Sequence, residues 1–467
     1  MSKIDGQVLI GWGFTPGRWF SEALRLVNDY YQDYPTATVE TLRAIVAGLE
    51  PEPAQTIPYR DTGMPFRSFL DAQTPEERAN EQSVMRDMEA LMRVPTVVSG
   101  AVMPDACPAG VIPVGGVVAT KDAIHPGFHS ADVCCSMAIS VFDKPTDLKR
   151  LLDIAQSVTH FGPGGRNSDR WAMSSALEQR FRGNKFLRDL VEVGHHHMGT
   201  QGDGNHFFFV GTLRSTGQPA IVTHHGSRGV GARLFKRGMA IAKEHTRIIS
   251  PETPSQAAWI DANSEDGIAY WHALQAVRQW TRENHEYLHW KTALRSGNAV
   301  VDTFWNEHNF VFRRDDGLYY HAKGATPSYH GFADDTDGRT LIPMNMSEPI
   351  LITQPASNDV ALGFAPHGAG RNMSRTQWTK NLAALYGDSR GLSPRSVQEI
   401  IRNQAPNVDA RFYLGTPDVS ELPGAYKNAQ SVVRSIETDN LAIITDYVDP
   451  YGSIMAGEMN WSRKKDT

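Results

Sequence analysis

The chain has 467 residues, 40% of them apolar, and a formal net charge of −6. That is ample apolar material for a large core. The balance is too acidic for a general nucleic-acid coat protein, so any contact with a polyanion must come from locally clustered arginines.

The three cysteines, Cys107, Cys134 and Cys135, are an odd set with two adjacent members. They do not form a disulfide framework, and they suit a reducing compartment, so a cytoplasmic location is expected. Residues 1–14 lack a basic region followed by an apolar run, and no apolar stretch reaches the roughly 20 residues of a membrane span. No membrane partner is therefore expected. No internal repeat or low-complexity tract is present.

Helices are expected first along the chain. Residues 20–31 carry Ala23, Leu24, Leu26, Val27 and Tyr30 at helical spacing. Residues 74–93 open with Thr-Pro-Glu-Glu, a helix start with proline and acids in the first turn. The pattern then changes: residues 94–142 are rich in Val, Gly and Pro with short apolar runs, and read as strands and tight turns. Amphipathic helices are expected over 231–247 and 268–294. A hairpin is expected over 309–323, where Phe310-Val311-Phe312 and Leu318-Tyr319-Tyr320 flank an Asp-Asp-Gly turn. Helices over 377–386 and 394–402 are mixed with short strands toward the end. The fold class is α+β: a helical extension over residues 1–80, then one large domain over 81–467 with mixed β-sheets flanked by helices. No flexible linker divides the latter.

Four short segments concentrate chemistry. They are Ser130-Ala-Asp-Val-Cys-Cys-Ser136, Gly204-Asn-His-Phe207, Thr223-His-His-Gly-Ser-Arg-Gly229 and Glu307-His-Asn309. Thiolate, imidazole and carboxylate together suit borderline transition metals such as Zn²⁺ or Mn²⁺. Strand ends are rigid enough to hold such ligands. Each segment alone reads more readily as a surface or satisfied core histidine, or as a small buried cysteine, than as a metal site. His195-His196-His197 has the look of a metal tract but is expected to be loop or strand surface. A fifth segment, Pro366-His-Gly-Ala-Gly-Arg371, is followed by Ser374-Arg375. Its small residues would let backbone N–H groups approach a phosphate, and two arginines could clamp it. A plain glycine-rich loop before a helix fits the spacing equally well.

Taken in order, these segments resemble the signatures of the RtcB family of RNA ligases. The matching stretches are Met103-Pro-Asp105, Pro113-Val-Gly-Gly-Val-Val-Ala119, Asp132-Val-Cys-Cys135, Gly204-Asn-His-Phe207, His224-His-Gly-Ser-Arg-Gly229, His308-Asn309, Lys323-Gly-Ala-Thr326 and His367-Gly-Ala-Gly-Arg371. The resemblance runs from about Met85 to the Tyr426-Lys427 pair. It implies two Mn²⁺ ions held by Asp132, Cys135, His206, His224 and His308, with the Cys135 thiolate between them. It implies that His367 forms a covalent GMP adduct from GTP, with Asp105 a catalytic acid nearby. Nucleotide contacts are implied for Asn205, Gly368, Ala369, Gly370, Arg371, Tyr426 and Arg228. The implied substrate is RNA broken into a 3′-phosphate or 2′,3′-cyclic phosphate end and a 5′-hydroxyl end, and a monomer is expected.

The departures fall on the nucleotide side. Phe209 stands where the family has a guanine-reading Glu. The stretch Pro450-Tyr-Gly-Ser-Ile-Met-Ala-Gly457 lacks the family's guanine-contacting lysine, and Gln354-Pro-Ala-Ser357 replaces a Gly-Ser-Met-Gly loop. Cys107 replaces a His, and Ala322 an Arg. Three activities follow as candidates: a ligase, with GTP or an altered nucleotide choice; a Mn²⁺-dependent phosphodiesterase on RNA ends; and a non-catalytic RNA-end binder, which the retained His367 and ligand set disfavour.

Overall fold

A computed structural model describes residues 4–17, 19–50, 56–166, 171–388 and 391–458. The chain forms two compact units, Met1–Ile57 and Pro58–Thr467. The first is helical, as its periodicity predicts. Helices Gly6–Gly11, Phe20–Asp33 and Val39–Ala47 bury Leu9, Ala23, Val27, Leu42 and Val46 in a core of their own.

The division lies at residue 57, where the sequence placed it at 80. Residues 58–80 belong with the second unit because backbone hydrogen bonds tie them there. Phe66–Ser68 pairs in parallel with the strand Val97–Cys107, and Arg60 donates to the carbonyls of Val94, Pro95 and Val97. The helix Pro75–Leu91 starts as expected. Thr74 Oγ1 accepts the Glu77 N–H at 3.1 Å and the Glu77 carboxylate accepts the Thr74 N–H at 3.2 Å, a reciprocal cap.

The second unit is α+β. One sheet has five strands in the order Phe66–Ser68, Val97–Cys107, Val114–Thr120, Tyr319–Lys323, Asn309–Arg313. The last two are the expected hairpin, with Asn309 opposite Lys323 and Gly317 at φ 79° in the turn. The larger sheet runs Thr340–Ile342, Ile350–Pro355, Ala442–Met455, Phe207–Leu213, Pro219–His225, Ser136–Phe142, Val300–Glu307, and Asp409–Phe412 pairs with Ala442–Met455. The long helix Glu265–Ser296 packs on this sheet through Leu288, which shares a buried cluster with Phe208 and Ile221, and through buried polar side chains. It outruns the 268–294 predicted from periodicity because its ends are set by caps: Ser264 Oγ accepts the Gly267 N–H at 3.0 Å at the start, and Gly297 in the left-handed region ends it. His195–His197 close the helix Val191–His197 instead of lying in a loop or strand. Gly194 sits under Trp280, whose indole N–H donates to the Gly194 carbonyl at 3.2 Å, and this packing continues the helix to the histidines. Cys107, Cys134 and Cys135 are all free. Among the described residues, no helix is long and apolar enough to cross a membrane.

Candidate metal centre and adjoining cavity

The strands Phe207–Leu213, Pro219–His225, Ser136–Phe142 and Val300–Glu307 lie side by side, each antiparallel to the next. Antiparallel order sets the start of one strand beside the end of its neighbour. His206 precedes the first strand, His224 is near the end of the second, Cys135 precedes the third and His308 follows the fourth. All four therefore emerge at one end of the sheet. The register agrees: His224 faces Phe207 and Met137, and Ser136 faces Glu307. Asp132 joins them through a tight turn in which Cys134 takes φ 59° and donates its N–H to Asn309 O at 2.7 Å.

The side chains converge. Cys135 Sγ lies 3.1 Å from His224 Nε2 and 3.5 Å from His206 Nε2. His224 Nε2 is 3.2 Å from His308 Nε2, and Asp132 Oδ2 is 3.7 Å from His206 Nε2. Two sets result, Cys135–His224–His308 and Asp132–Cys135–His206, each with donor atoms within 4.8 Å of one another. They could hold two cations with Cys135 common to both.

The surroundings fit that use. His206 Nδ1 meets Gln201 O at 2.5 Å and His224 Nδ1 meets Asn205 O at 3.1 Å. A carbonyl only accepts, so each ring keeps its proton on Nδ1 and turns the Nε2 electron pair toward the cluster. Burial lowers the His224 pKa to about 3 and holds His308 well below the ordinary histidine value, so both rings are neutral, the form a cation would need. Burial and the Asp132 carboxylate push the Cys135 thiol well up, so a thiolate here requires a cation beside it. His308 Nδ1 is buried with no hydrogen-bond partner. Within the cluster, the single Cys135 S–H can serve only one of the two ring nitrogens beside it, His206 Nε2 and His224 Nε2, so hydrogen bonds alone leave it incompletely satisfied, and a pair of cations would complete it.

His367 adjoins the cluster, its ring centroid 5.1 Å from that of His308. Its Nδ1 lies 2.6 Å from Oδ2 of the fully buried Asp105, and the same oxygen accepts the His367 N–H at 3.2 Å. The backbone around Asp105 is fixed. Lys427 Nζ donates to Pro104 O and Ala106 O at 2.9 and 3.0 Å. Gly370, at φ 73°, passes so close that a Cβ would overlap the Asp105 carbonyl. The hairpin returns as expected, with Ala325 N donating to His308 O at 3.1 Å. Gly324 lets it pass against the His367 ring.

A cavity of about 330 Å³ opens beside His367. Gly368, Ala369, Gly370 and Arg371 line it, together with Asn205, His224 and Tyr426. Phe207, Phe209, Met344, Met346, Ile350 and Met455 supply an apolar wall, so the substituted position 209 and the C-terminal stretch both reach the cavity. Cys107 lines it too, with its thiol pushed up by burial. Arg371 donates to Ser420 O at 2.9 Å and stands over the Tyr426 ring. Arg228 is placed differently. It bonds Thr200 Oγ1 and Gly162 O beside the loop that orients His206, and it is not among the cavity-lining residues.

Two site residues escaped the sequence reading. Gln201 acts only through its carbonyl, which leaves no trace in side-chain type. Glu421 is buried in the cavity wall, accepting from Tyr426 OH at 2.5 Å and facing Arg375 Nε at 2.6 Å. It sits in a single turn of 3₁₀-helix, Val419–Glu421, with no periodic pattern around it.

Comparison with known proteins places these features in context. A family model described as tRNA-splicing ligase RtcB matches residues 87–184 and 178–456. The RNA-splicing ligase RtcB of Escherichia coli (strain K12) is 26% identical over 396 residues, covering 74% of this chain and 87% of that protein. The tRNA-splicing ligases RtcB of Nanoarchaeum equitans and Thermococcus kodakarensis are each 24% identical, over 446 and 474 residues. These cover 79% and 85% of this chain, and 91% and 96% of those proteins.

Proposed function

The chain belongs to the RtcB family, and from that premise we propose that it is an RNA ligase acting in RNA repair or splicing. It joins a 3′-phosphate or 2′,3′-cyclic phosphate end to a 5′-hydroxyl end through GMP carried on His367. The observation that carries this reading is the placement of His367, oriented by Asp105 at 2.6 Å and standing beside His308 in the donor cluster. Two Mn²⁺ ions, held by Asp132, Cys135, His206, His224 and His308, would supply Lewis acidity toward phosphate oxygens when bound.

The chain's own residues account for the rest. Asp105 keeps the proton on Nδ1, so Nε2 attacks the α-phosphorus of GTP, forming the N–P bond as pyrophosphate leaves. Arg371 and the Gly368–Gly370 backbone are placed to bind phosphate oxygens. An oxygen of the RNA 3′-phosphate then attacks the GMP phosphorus and the bond to Nε2 breaks. The 5′-hydroxyl oxygen, losing its proton, attacks the activated 3′-phosphorus and GMP departs. A cyclic phosphate is first opened by water. A 3′-phosphate RNA and a 5′-hydroxyl RNA incubated with the chain, GTP and Mn²⁺ should yield a joined strand. Opening of cyclic ends without any joining would indicate the phosphodiesterase instead.

Asp105→Asn tests the charge beside the ring. The oxygen that meets Nδ1 also accepts the His367 backbone N–H, so asparagine presents its carbonyl there and keeps the tautomer. It lacks the negative charge that stabilises the ring as positive charge grows on it during attack. Adduct formation should slow by about 10²-fold or more with little change in bound Mn²⁺. An unchanged rate would remove Asp105 from the mechanism.

Nucleotide choice should be relaxed. Phe209 offers a ring face but no acceptor, and Glu421, the one acid among the described residues lining the cavity, is engaged by Tyr426 and Arg375. Losing a charged hydrogen bond to the base costs about 1.5–3 kcal/mol, or roughly 10–200-fold in affinity. Unlabelled ATP should therefore compete with labelled GTP for His367 better than it does in relatives that retain the Glu. A GTP preference on the order of 10³-fold would contradict this and point to Tyr426 or the residues after Gly457 as base readers.

A further inference from the structure

Behind the donor cluster, five buried side chains link the long helix Glu265–Ser296 to the strands that carry Cys135 and His224. Ser140 Oγ lies 2.8 Å from His289 Nδ1, and His289 Nε2 lies 2.8 Å from Thr223 Oγ1. Thr223 Oγ1 is 2.6 Å from His285 Nδ1, and His285 Nε2 is 3.0 Å from Ser136 Oγ. Ser136 Oγ ends the line at the His225 carbonyl, at 3.2 Å.

The hydrogens in this line have only one arrangement. A carbonyl cannot donate, so the Ser136 hydroxyl gives its proton to His225 O and accepts from His285 Nε2–H. A neutral imidazole has one N–H, so His285 Nδ1 accepts from the Thr223 hydroxyl. Thr223 then accepts from His289 Nε2–H, and His289 Nδ1 accepts from Ser140. Burial keeps both rings neutral, His289 down to about 3 and His285 well below its ordinary value. No step of the ligase chemistry uses these five residues.

Their position in the sequence gives the line its meaning. Ser136 follows Cys135 and Thr223 precedes His224, and those two donors stand 3.1 Å apart on neighbouring strands. We propose that His285 and His289 are positioning residues of the cation centre, locking the two strands at the point where each delivers its donor. The proposal rests on the reading of Cys135 and His224 as ligands. A fixed backbone there lets thiolate and imidazole meet one cation with little reorganisation.

The test uses Co²⁺ alone with the full chain, reading affinity by calorimetry, the thiolate-to-cobalt absorption band and the visible ligand-field bands. Thr223→Val is nearly isosteric and cuts the line at its middle. It should weaken Co²⁺ binding about tenfold or more and shift the ligand-field bands. His289→Gln keeps one donor and one acceptor, and should restore most of the affinity that His289→Leu loses. A folded Thr223→Val variant with wild-type affinity and bands overturns the proposal. If Thr223→Val does not fold, the His289→Leu and His289→Gln pair decides in the same way. Unfolding of both line-breaking variants while His289→Gln folds would make the line a determinant of folding, and also overturns it. Absence of the thiolate band in the unsubstituted chain would instead overturn the ligand reading itself, before any variant is compared.

Discussion

Replacing Cys135 with alanine is expected to empty both cation positions at once and to lower RNA joining by about 10³-fold or more. Cys135 belongs to both donor sets, whereas Asp132 and His206 belong only to one and His224 and His308 only to the other. Its loss should therefore not leave a half-loaded centre of normal affinity. The side chain is small and buried against the strand end, so alanine fits the space without overpacking. Metal content after dialysis against dilute Mn²⁺, with thermal unfolding as a check on the fold, measures the effect. Retention of one tightly held ion would mean that Cys135 serves a single position. His206→Ala provides the contrast, since it should weaken the Asp132 side while leaving the His224–His308 side its donors.

The second large effect is at His367. His367→Ala should abolish adduct formation and reduce joining by more than about 10⁴-fold, the scale on which removing a nucleophile acts. Bound Mn²⁺ should stay near the wild-type level, because His367 belongs to neither donor set and touches the cluster only through the His308 ring. Cys135→Ala and His367→Ala thus separate two contributions that a loss of activity alone would merge. The first removes metal and chemistry together, and the second removes chemistry alone. Joining by His367→Ala at an ordinary rate would place the nucleophile elsewhere.

Much of this arrangement was legible in the residues, for physical reasons that differ from element to element. The reciprocal Thr74–Glu77 cap and the Asp-Asp-Gly hairpin turn are local, so a few residues decide them. Each donor segment stood out because it sits next to a strand-like run, but only the family resemblance joined the segments into one set; the antiparallel order that brings these strand ends together is not written in any one of them. Other features depend on partners far away in sequence. His195–His197 are helical because Gly194 packs under Trp280, which no local pattern reports. Residues 58–80 read as an extension, yet Phe66–Ser68 is captured by a strand some thirty residues on. Gln201 contributes only a carbonyl, and Glu421 lies in an aperiodic turn whose value comes from Tyr426 and Arg375 around it. His285 and His289 were hidden by the long helix itself. With polar and apolar residues buried on several sides, it shows little amphipathic contrast, and a histidine in it carries no mark of function.

Arg228 shows how a motif match and a geometry can differ in emphasis. The sequence grouped it with Arg371 as a phosphate contact. In the fold its guanidinium is tied to Thr200 and to Gly162, next to the loop that holds His206. Arg371 and Arg375, by contrast, both line the His367 cavity.

The central claim is that His367 carries the nucleotide. The most direct measurement incubates the full chain with Mn²⁺ and GTP labelled at the α-phosphate, then maps the label on digested protein. The account predicts an acid-labile, base-stable label confined to the peptide containing His367, formed with release of pyrophosphate and discharged on adding 3′-phosphate RNA. A label on another residue, or no label from GTP or ATP under conditions where the chain joins RNA, would contradict it.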